Sequence, residues 1–61
     1  MQRVVPTTQF HVTIEYRTKY RLAVWYGMVT TEDIERATEV GEKLLRRRSR
    51  AVVRVDRIIV R

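Results

Sequence analysis

Apolar and polar residues alternate strictly from Phe10 to Tyr16, and this period of two fits a β-strand and not a helix. The even positions are apolar or aromatic and the odd positions are polar, which is typical of a β-strand with one buried face. A second alternating run extends from Tyr20 to Met28 after the short segment Arg17-Thr18-Lys19. So short a connection predicts an antiparallel hairpin. If the even positions of both runs share the buried face, a three-residue loop places Tyr16 opposite Tyr20. The loop has no glycine or asparagine for a left-handed position, so a one-residue bulge or a slightly longer turn is the alternative.

The residues after this hairpin carry the signals of a helix. Thr30 is a suitable N-cap, and Asp33 then occupies the third helical position of a capping box. Glycine inside a helix costs about 1 kcal/mol relative to alanine, so we expect Gly41 to mark a close approach of the helix to the sheet. Five residues recur at helical spacing and are predicted to face the sheet, namely Ile34, Ala37, Gly41, Leu44 and Leu45.

The C-terminal residues 51–61 are rich in β-branched side chains and predict a third strand. Its alternation changes phase, because Val53 and Val55 are apolar at odd positions whereas Ile58 and Val60 are apolar at even positions. Either a bulge near Asp56-Arg57 resets the alternation or both faces of the strand are covered. A right-handed crossover through the helix returns this strand to the sheet, beside the second strand or, as we favour, beside the first.

Together these elements predict a single small α+β domain of the order β-β-α-β, a three-stranded sheet with one helix packed on one face. We expect residues 1–9, with Pro6, to form a flexible N-terminal arm and residues 10–61 to form the domain. The chain of 61 residues has no cysteine, so neither disulfides nor a thiolate metal site stabilise it. Small domains without such support often dimerise.

Few residues are of the kind that carry catalysis. His11 is the single histidine, so it has no second imidazole or thiolate with which to hold a transition metal. Five of the seven carboxylates fall in residues 30–42, where helix capping and ion pairing account for them. The two glycines stand apart and form no phosphate-binding loop. We therefore predict that the protein is not an enzyme and uses no cofactor or metal.

The charge distribution favours a polyanionic partner. The formal net charge is +6, and residues 43–61 contain eight basic side chains and one acidic one. Cations after a helix also complement its dipole, but four arginines in five positions exceed that need. The predicted phosphate contacts are Arg46, Arg47, Arg48 and Arg50. Arg21 and Arg54 are expected to join them from the sheet face that the helix leaves open, together with Trp25 and His11.

Self-association is also expected, through the same open face or through the edge of the C-terminal strand. One helix covers one side of a three-stranded sheet, and apolar side chains on the other side normally mark a contact with another chain. The residues predicted to form this contact in a homodimer are Trp25, Ala23 and Val52 and, if the third strand has no bulge, Ile58 and Val60.

The leading prediction is a small basic nucleic-acid-binding accessory protein that forms a homodimer. The alternative is a small inhibitor or adaptor, of the phage or mobile-element type, whose basic surface binds an acidic surface of a host protein. A third possibility is a structural subunit that assembles through its sheet edges. The first residues do not form a signal peptide, and no stretch approaches the ~20 apolar residues of a membrane span, so we expect a cytoplasmic location.

Overall fold

The N-terminal hairpin and the C-terminal strand form one antiparallel sheet, and a helix packs on one of its faces. The computed structural model describes residues 5–61. The elements, in chain order, are β1 (Thr8–Arg17), β2 (Leu22–Thr31), α1 (Ile34–Arg48) and β3 (Arg54–Val60). The strand order is β2-β1-β3, so β3 lies beside β1 as favoured above. The predicted β-β-α-β domain of the α+β class is confirmed.

The sheet begins earlier than the sequence indicated. Thr8 and Gln9, which were assigned to the N-terminal arm, are the first residues of β1 and pair with Thr31 and Thr30 of β2. Residues 1–4 of that arm lie outside the described residues. Within residues 5–61, α1 is the one helix, and it is too short and too polar to cross a bilayer.

The register of the hairpin differs from the predicted one, and the difference exchanges the two faces of β2. The turn contains four residues, 18–21, and Arg17 pairs with Leu22. Even-numbered residues of β1 therefore pair with odd-numbered residues of β2, as Tyr16 does with Ala23. A displacement by an odd number of residues moves every side chain of a strand to the other face. The predicted assignment of the β2 faces is wrong for this reason.

A threonine hydroxyl organises the turn that sets this register. The Oγ1 atom of Thr18 accepts hydrogen bonds from the backbone N–H groups of Tyr20 at 3.2 Å and of Arg21 at 3.1 Å. The same hydroxyl donates to the Arg21 carbonyl at 3.2 Å, and the Thr18 N–H donates to that carbonyl at 2.8 Å. No residue among the described ones has a positive φ, so the turn is closed without the glycine that tighter hairpins require.

The helix begins three residues later than predicted. Its N-cap is Asp33, whose carboxylate accepts a hydrogen bond from the Arg36 N–H at 2.8 Å. Thr30 remains in β2, and Thr31 donates its hydroxyl proton to the Asp33 carbonyl at 3.0 Å. Aspartate is a stronger N-cap than threonine, so the hydrogen bonds of the sheet continue until Asp33 can take that role.

The core lies between α1 and the central strand. Val12 and Ile14 of β1 are 1% and 0% exposed, and both face the helix. Ala37, Gly41 and Leu45 of the predicted helical stripe are buried, whereas its other two members are not. Those exceptions are Ile34 and Leu44, which are 58% and 38% exposed.

The phase change in β3 is a β-bulge, one of the two predicted explanations. Glu15 pairs with Arg57 and Tyr16 pairs with Val55, so Asp56 is the extra residue. The bulge allows Val55, at an odd position, and Ile58 and Val60, at even positions, to contact the same core.

Gly41 lies where the helix backbone is in close contact with β1, as predicted from the position of this glycine in the helical stripe. A Cβ atom added there would lie 2.8 Å from Cγ1 of Val12. Val12 is 1% exposed and β-branched, so it has little freedom to move aside. The absence of a side chain at position 41 therefore sets the distance between helix and sheet.

We expect Gly41→Leu to lower the free energy of unfolding by roughly 1–3 kcal/mol, because the overpacking outweighs the gain in helix propensity. Lys43→Leu is the control, since Lys43 is exposed on the same helix. Urea denaturation of both variants measures the difference. A Gly41→Leu protein as stable as the wild type would contradict the packing described here.

We expect Thr18→Ala to destabilise the protein by about 1 kcal/mol, because the turn loses the hydroxyl that bonds Tyr20 and Arg21. Thr30→Ala serves as the comparison, since Thr30 is exposed in β2. Thermal melts of the two variants should differ, and equal melting temperatures would show that the hydroxyl does not hold the turn.

Candidate nucleic-acid interface

The topology gathers most of the cationic side chains at one end of the molecule. β1 ends and β2 begins at the turn, α1 runs back from the far end of β2, and β3 starts from the same side as the turn. Residues 17–21 and 46–54 therefore lie together, and we call them the basic end. It contains eight of the thirteen basic residues, namely Arg17, Lys19, Arg21, Arg46, Arg47, Arg48, Arg50 and Arg54.

Direct contacts join the two segments of the basic end. The N–H of Val53 donates a hydrogen bond to the carbonyl of Arg17 at 2.8 Å, which fixes the loop after α1 to the end of β1. A cleft of about 590 Å³ lies between this loop and the turn. Lys19, Tyr20 and Arg21 line it from one side, and Ser49 and Arg50 line it from the other.

Acidic residues occupy the opposite end of the molecule. Glu32, Asp33 and Glu35 surround the start of α1, while Arg46, Arg47 and Arg48 form its last turn. Each set complements the helix dipole at its own end. The protein is consequently polarised along α1, which the net charge alone does not reveal.

Two of the predicted phosphate-binding arginines are already paired with carboxylates. Arg46 contacts Glu42 at 3.2 Å, and Arg54 contacts Asp56 at 2.8 Å. Within residues 5–61, no ion pair includes the remaining members of the basic end apart from Arg17. These uncommitted cations are Lys19, Arg21, Arg47, Arg48 and Arg50, and all of them are exposed.

An exposed aromatic ring accompanies these cations. Tyr20, in the turn, is 86% exposed, and the ammonium of Lys19 lies 5.7 Å from the centre of its ring. Neither residue was among the predicted site residues. The available signal was their proximity in sequence to Arg17 and Arg21, but the sequence did not place this turn beside the arginines that follow α1.

Trp25 lies on the helix side of the sheet, where it lines a second surface depression. A Cβ at Gly27 would overlap the indole ring, so glycine at this position allows the ring to fold along β2. The ring packs against the core and lines a groove of about 340 Å³ with Leu44, Arg47 and Arg48. The groove thus combines an apolar floor with cationic walls.

The predicted constellation on the open face is not assembled. His11 and Arg54 occupy positions of that face, but Arg21 lies in the turn and Trp25 is on the opposite face. His11 pairs with Met28 rather than with Trp25. The prediction was wrong because it paired even-numbered residues of β1 with even-numbered residues of β2, whereas the hairpin pairs them with odd-numbered ones. Arg21 nevertheless lies at the basic end, and Arg54 begins β3 there.

The residues predicted to form an interface on the open face lie instead on the helix side. Trp25, Val52, Ile58 and Val60 pack against the core, and Ala23 shares their face through its pairing with Tyr16. The apolar side chains that the open face does display belong mainly to β2, and they are Leu22, Val24, Tyr26 and Met28. An exposed apolar patch was expected on this face, but the register determines which residues form it.

Asp56 holds two arginines that the sheet places opposite each other. Arg17 pairs with Arg54 across β1 and β3, and the bulge brings the carboxylate of Asp56 within reach of both. It contacts Arg17 at 3.0 Å and Arg54 at 2.8 Å. The hydrogen bonds from Arg17 and then from Arg54 lower the pKa of Asp56 below its ordinary value of 3.8.

Because the folded-state pKa of Asp56 lies below its unfolded value, its ionised form contributes stability that is present above pH 3.8 and is lost as the pH falls through the folded pKa. We expect Arg17→Gln and Arg54→Gln each to raise this pKa, with Arg17→Gln having the larger effect. NMR titration of the Asp56 carboxyl carbon measures both shifts. An Asp56 pKa that neither substitution raises would contradict the arrangement.

The described residues contain no group of three or more His, Cys, Asp or Glu side chains that could hold a metal ion. What they do bring together is a set of uncommitted cations, one exposed tyrosine ring and an apolar groove with arginine walls. Comparisons of the chain with protein-family models, with curated proteins and with solved structures gave no match.

Proposed function

We propose that this protein is a small basic nucleic-acid-binding accessory protein that acts as a homodimer and contacts phosphates through its basic end. The observation that carries the proposal is the convergence of two cationic segments from distant parts of the chain. Lys19 and Arg21 of the turn share one cleft with Arg50 of the loop after α1. Phosphate groups along a nucleic-acid backbone are the polyanion that such a cluster fits.

Each part of the basic end has a proposed role. Arg47, Arg48 and Arg50 contact phosphates through guanidinium groups that no carboxylate in residues 5–61 occupies. The exposed ring of Tyr20 stacks on an unpaired base next to these contacts. Arg54 would have to exchange Asp56 for a phosphate, so its contribution is smaller than that of Arg50.

The separation of acidic and basic residues along α1 orients the protein as it approaches a nucleic acid. The acidic residues at the start of α1 repel a polyanion while the basic end attracts it. This field favours approach with the turn and the end of the helix directed toward the nucleic acid. Recognition through phosphates and stacking carries little sequence information, so an accessory role fits this arrangement better than that of a sequence-specific regulator.

Self-association is the second part of the proposal. A chain of 61 residues without cysteine has a small core and no covalent crosslink. Tyr26 and Leu22 are 74% and 65% exposed on the open face, which is a costly arrangement for a domain that remains alone. A dimer would also double the number of phosphate contacts for each assembly.

A second candidate is an inhibitor or adaptor that binds an acidic surface of another protein. The groove between α1 and β2 favours it, because Trp25 and Leu44 provide an apolar floor and Arg47 and Arg48 provide cationic walls. A peptide segment with an apolar anchor and flanking carboxylates fits this combination. Such a protein would have no comparable affinity for free nucleic acid.

We expect the double variant Arg47→Gln/Arg50→Gln to bind DNA and RNA more weakly than the wild type. The logarithm of the binding constant should fall linearly with the logarithm of salt concentration, and the slope should flatten by roughly one to two units for each protomer bound, because about one phosphate contact is lost per arginine. Fluorescence anisotropy with labelled single-stranded and duplex oligonucleotides measures the slope. The melting temperature should change little, since both side chains are exposed.

The matched control is Arg36→Gln/Arg61→Gln, which removes the same charge from the opposite end of the molecule. Site-specific contact predicts a salt slope close to that of the wild type for this control. Equal weakening by both double variants would show that net charge alone governs binding. No binding of any oligonucleotide at low salt would reject the nucleic-acid proposal and favour the adaptor.

A further inference from the structure

The sheet has two free edges, and they differ sharply in composition. β1 is the central strand, so β2 and β3 each have one edge without a neighbouring strand among the described residues. β3 contains Arg54, Asp56 and Arg57 and is distorted by the bulge at Asp56. Charged residues and bulges are the features by which proteins prevent strand pairing at an edge. β3 is therefore a protected edge.

β2 has none of this protection. It is a regular strand of ten residues, LAVWYGMVTT, without a charged residue or a proline. A long, uncharged edge strand presents a row of backbone donors and acceptors that can pair with another strand. The edge of β2 is consequently suited to extend the sheet.

The exposed apolar side chains are concentrated on this same strand. Leu22, Val24, Tyr26 and Met28 are 65%, 47%, 74% and 56% exposed on the open face. The neighbouring positions of β1 on that face are polar or charged and include His11, Glu15 and Arg17. Two open faces stacked on each other would bury those charges at a high cost. Pairing at the β2 edge brings apolar residues together and leaves the charges in solvent.

We propose that two copies of this chain pair through β2 in an antiparallel manner and form one continuous six-stranded sheet. This inference deepens the homodimer part of the proposed function and rests on that part, not on nucleic-acid binding. Two-fold symmetry with antiparallel strands requires an axis perpendicular to the sheet. Both helices then lie on the same side, and the apolar side chains of the two β2 strands lie next to one another on the other side.

The side-chain pattern of β2 selects one register. Pairing Leu22 with Met28 of the second copy, and Val24 with Tyr26 of the second copy, matches all four exposed apolar residues with apolar partners. Trp25 then lies at the two-fold axis on the helix side. Ala23 of one copy lies opposite Gly27 of the other, and these small residues leave room for the indole rings.

The charge distribution favours the antiparallel arrangement over a parallel one. α1 is acidic at its start and basic at its end, so side-by-side helices that run in opposite directions bring unlike charges together. Parallel β2 strands would place the two sets of Arg46, Arg47 and Arg48 at the same end of the sheet, where like charges repel each other.

The absence of cysteine from the chain allows a disulfide test of the register without further substitutions. We expect a mixture of the single variants Leu22→Cys and Met28→Cys to form a mixed disulfide dimer under mild oxidation. Directly paired residues have Cα atoms about 4.5–5.5 Å apart, within the range of a disulfide. Leu22→Cys alone should crosslink poorly, because the two copies of residue 22 would be about 20 Å apart. The two variants differ in mass, so mass spectrometry identifies the mixed species.

Sedimentation equilibrium without nucleic acid tests whether the β2 edge forms the dimer contact, whatever the register between the two β2 strands. We expect Tyr26→Lys to raise the dimer dissociation constant by about tenfold or more, because it places a cation at the centre of the paired edge. Ile59→Lys is the control, since Ile59 is an apolar residue of the same face on the β3 edge. Circular dichroism of both variants verifies that they fold.

The possible outcomes separate the β2 pairing from the homodimer proposal on which it rests. A wild-type protein that remains monomeric at high micromolar concentration would overturn both the homodimer and the β2 pairing. A stable dimer that is weakened by Ile59→Lys and not by Tyr26→Lys would overturn only the β2 pairing. The nucleic-acid proposal has its own test, which compares the salt slopes of Arg47→Gln/Arg50→Gln and Arg36→Gln/Arg61→Gln.

Discussion

The four-residue turn held by Thr18 is the constraint on which the rest of this structure depends. Its hydroxyl bonds two backbone N–H groups and one carbonyl, and this closes the hairpin with Arg17 opposite Leu22. Even-numbered residues of β1 therefore pair with odd-numbered residues of β2 and share a face with them. The side chain of Trp25 thereby faces the helix, and that of Tyr26 faces away from it. A three-residue turn would exchange both.

The approach of α1 to β1 depends on a second local feature, the missing side chain of Gly41. The helix backbone rests against Val12, and the small residue Ala37 is buried on the same stripe. A helix this close to the central strand covers one face of the sheet and leaves the other open. The apolar side chains of β2 remain on the uncovered face, at an edge strand with no charged residue.

The polarity of the molecule follows from the same topology. In a β-β-α-β order with an antiparallel hairpin, the first turn and the loop after the helix lie at the same end of the sheet. Lys19 and Arg21 therefore meet Arg50, although about thirty positions separate them in the chain. The bulge residue Asp56 relieves the repulsion between Arg17 and Arg54, whereas five other cations of this end have no carboxylate partner within residues 5–61.

Local patterns were sufficient to predict several features because each depends on neighbouring residues. The alternation from Phe10 to Tyr16 predicted β1, and Gly41 in a helical stripe predicted the close helix contact. The change of phase near Asp56 allowed for the bulge that is present. The basic residues after Lys43 likewise predicted a cationic segment, whose exposure the structure confirms.

The assignment of residues to the two faces of the sheet could not be predicted, because either face of β2 could have packed against the helix. β2 is apolar on both faces, so its alternation alone did not indicate which face the helix covers. Ala23 and Trp25 were misplaced for this reason, as was the grouping of Arg21 with Trp25, while the bulge in β3 turns Ile58 and Val60 toward the helix. The sequence by itself determined the elements, their order and the total charge, because these follow from local spacing and composition. Only the tertiary structure decided the faces and the meeting of the two cationic segments, because turn length and strand order act over the whole sheet.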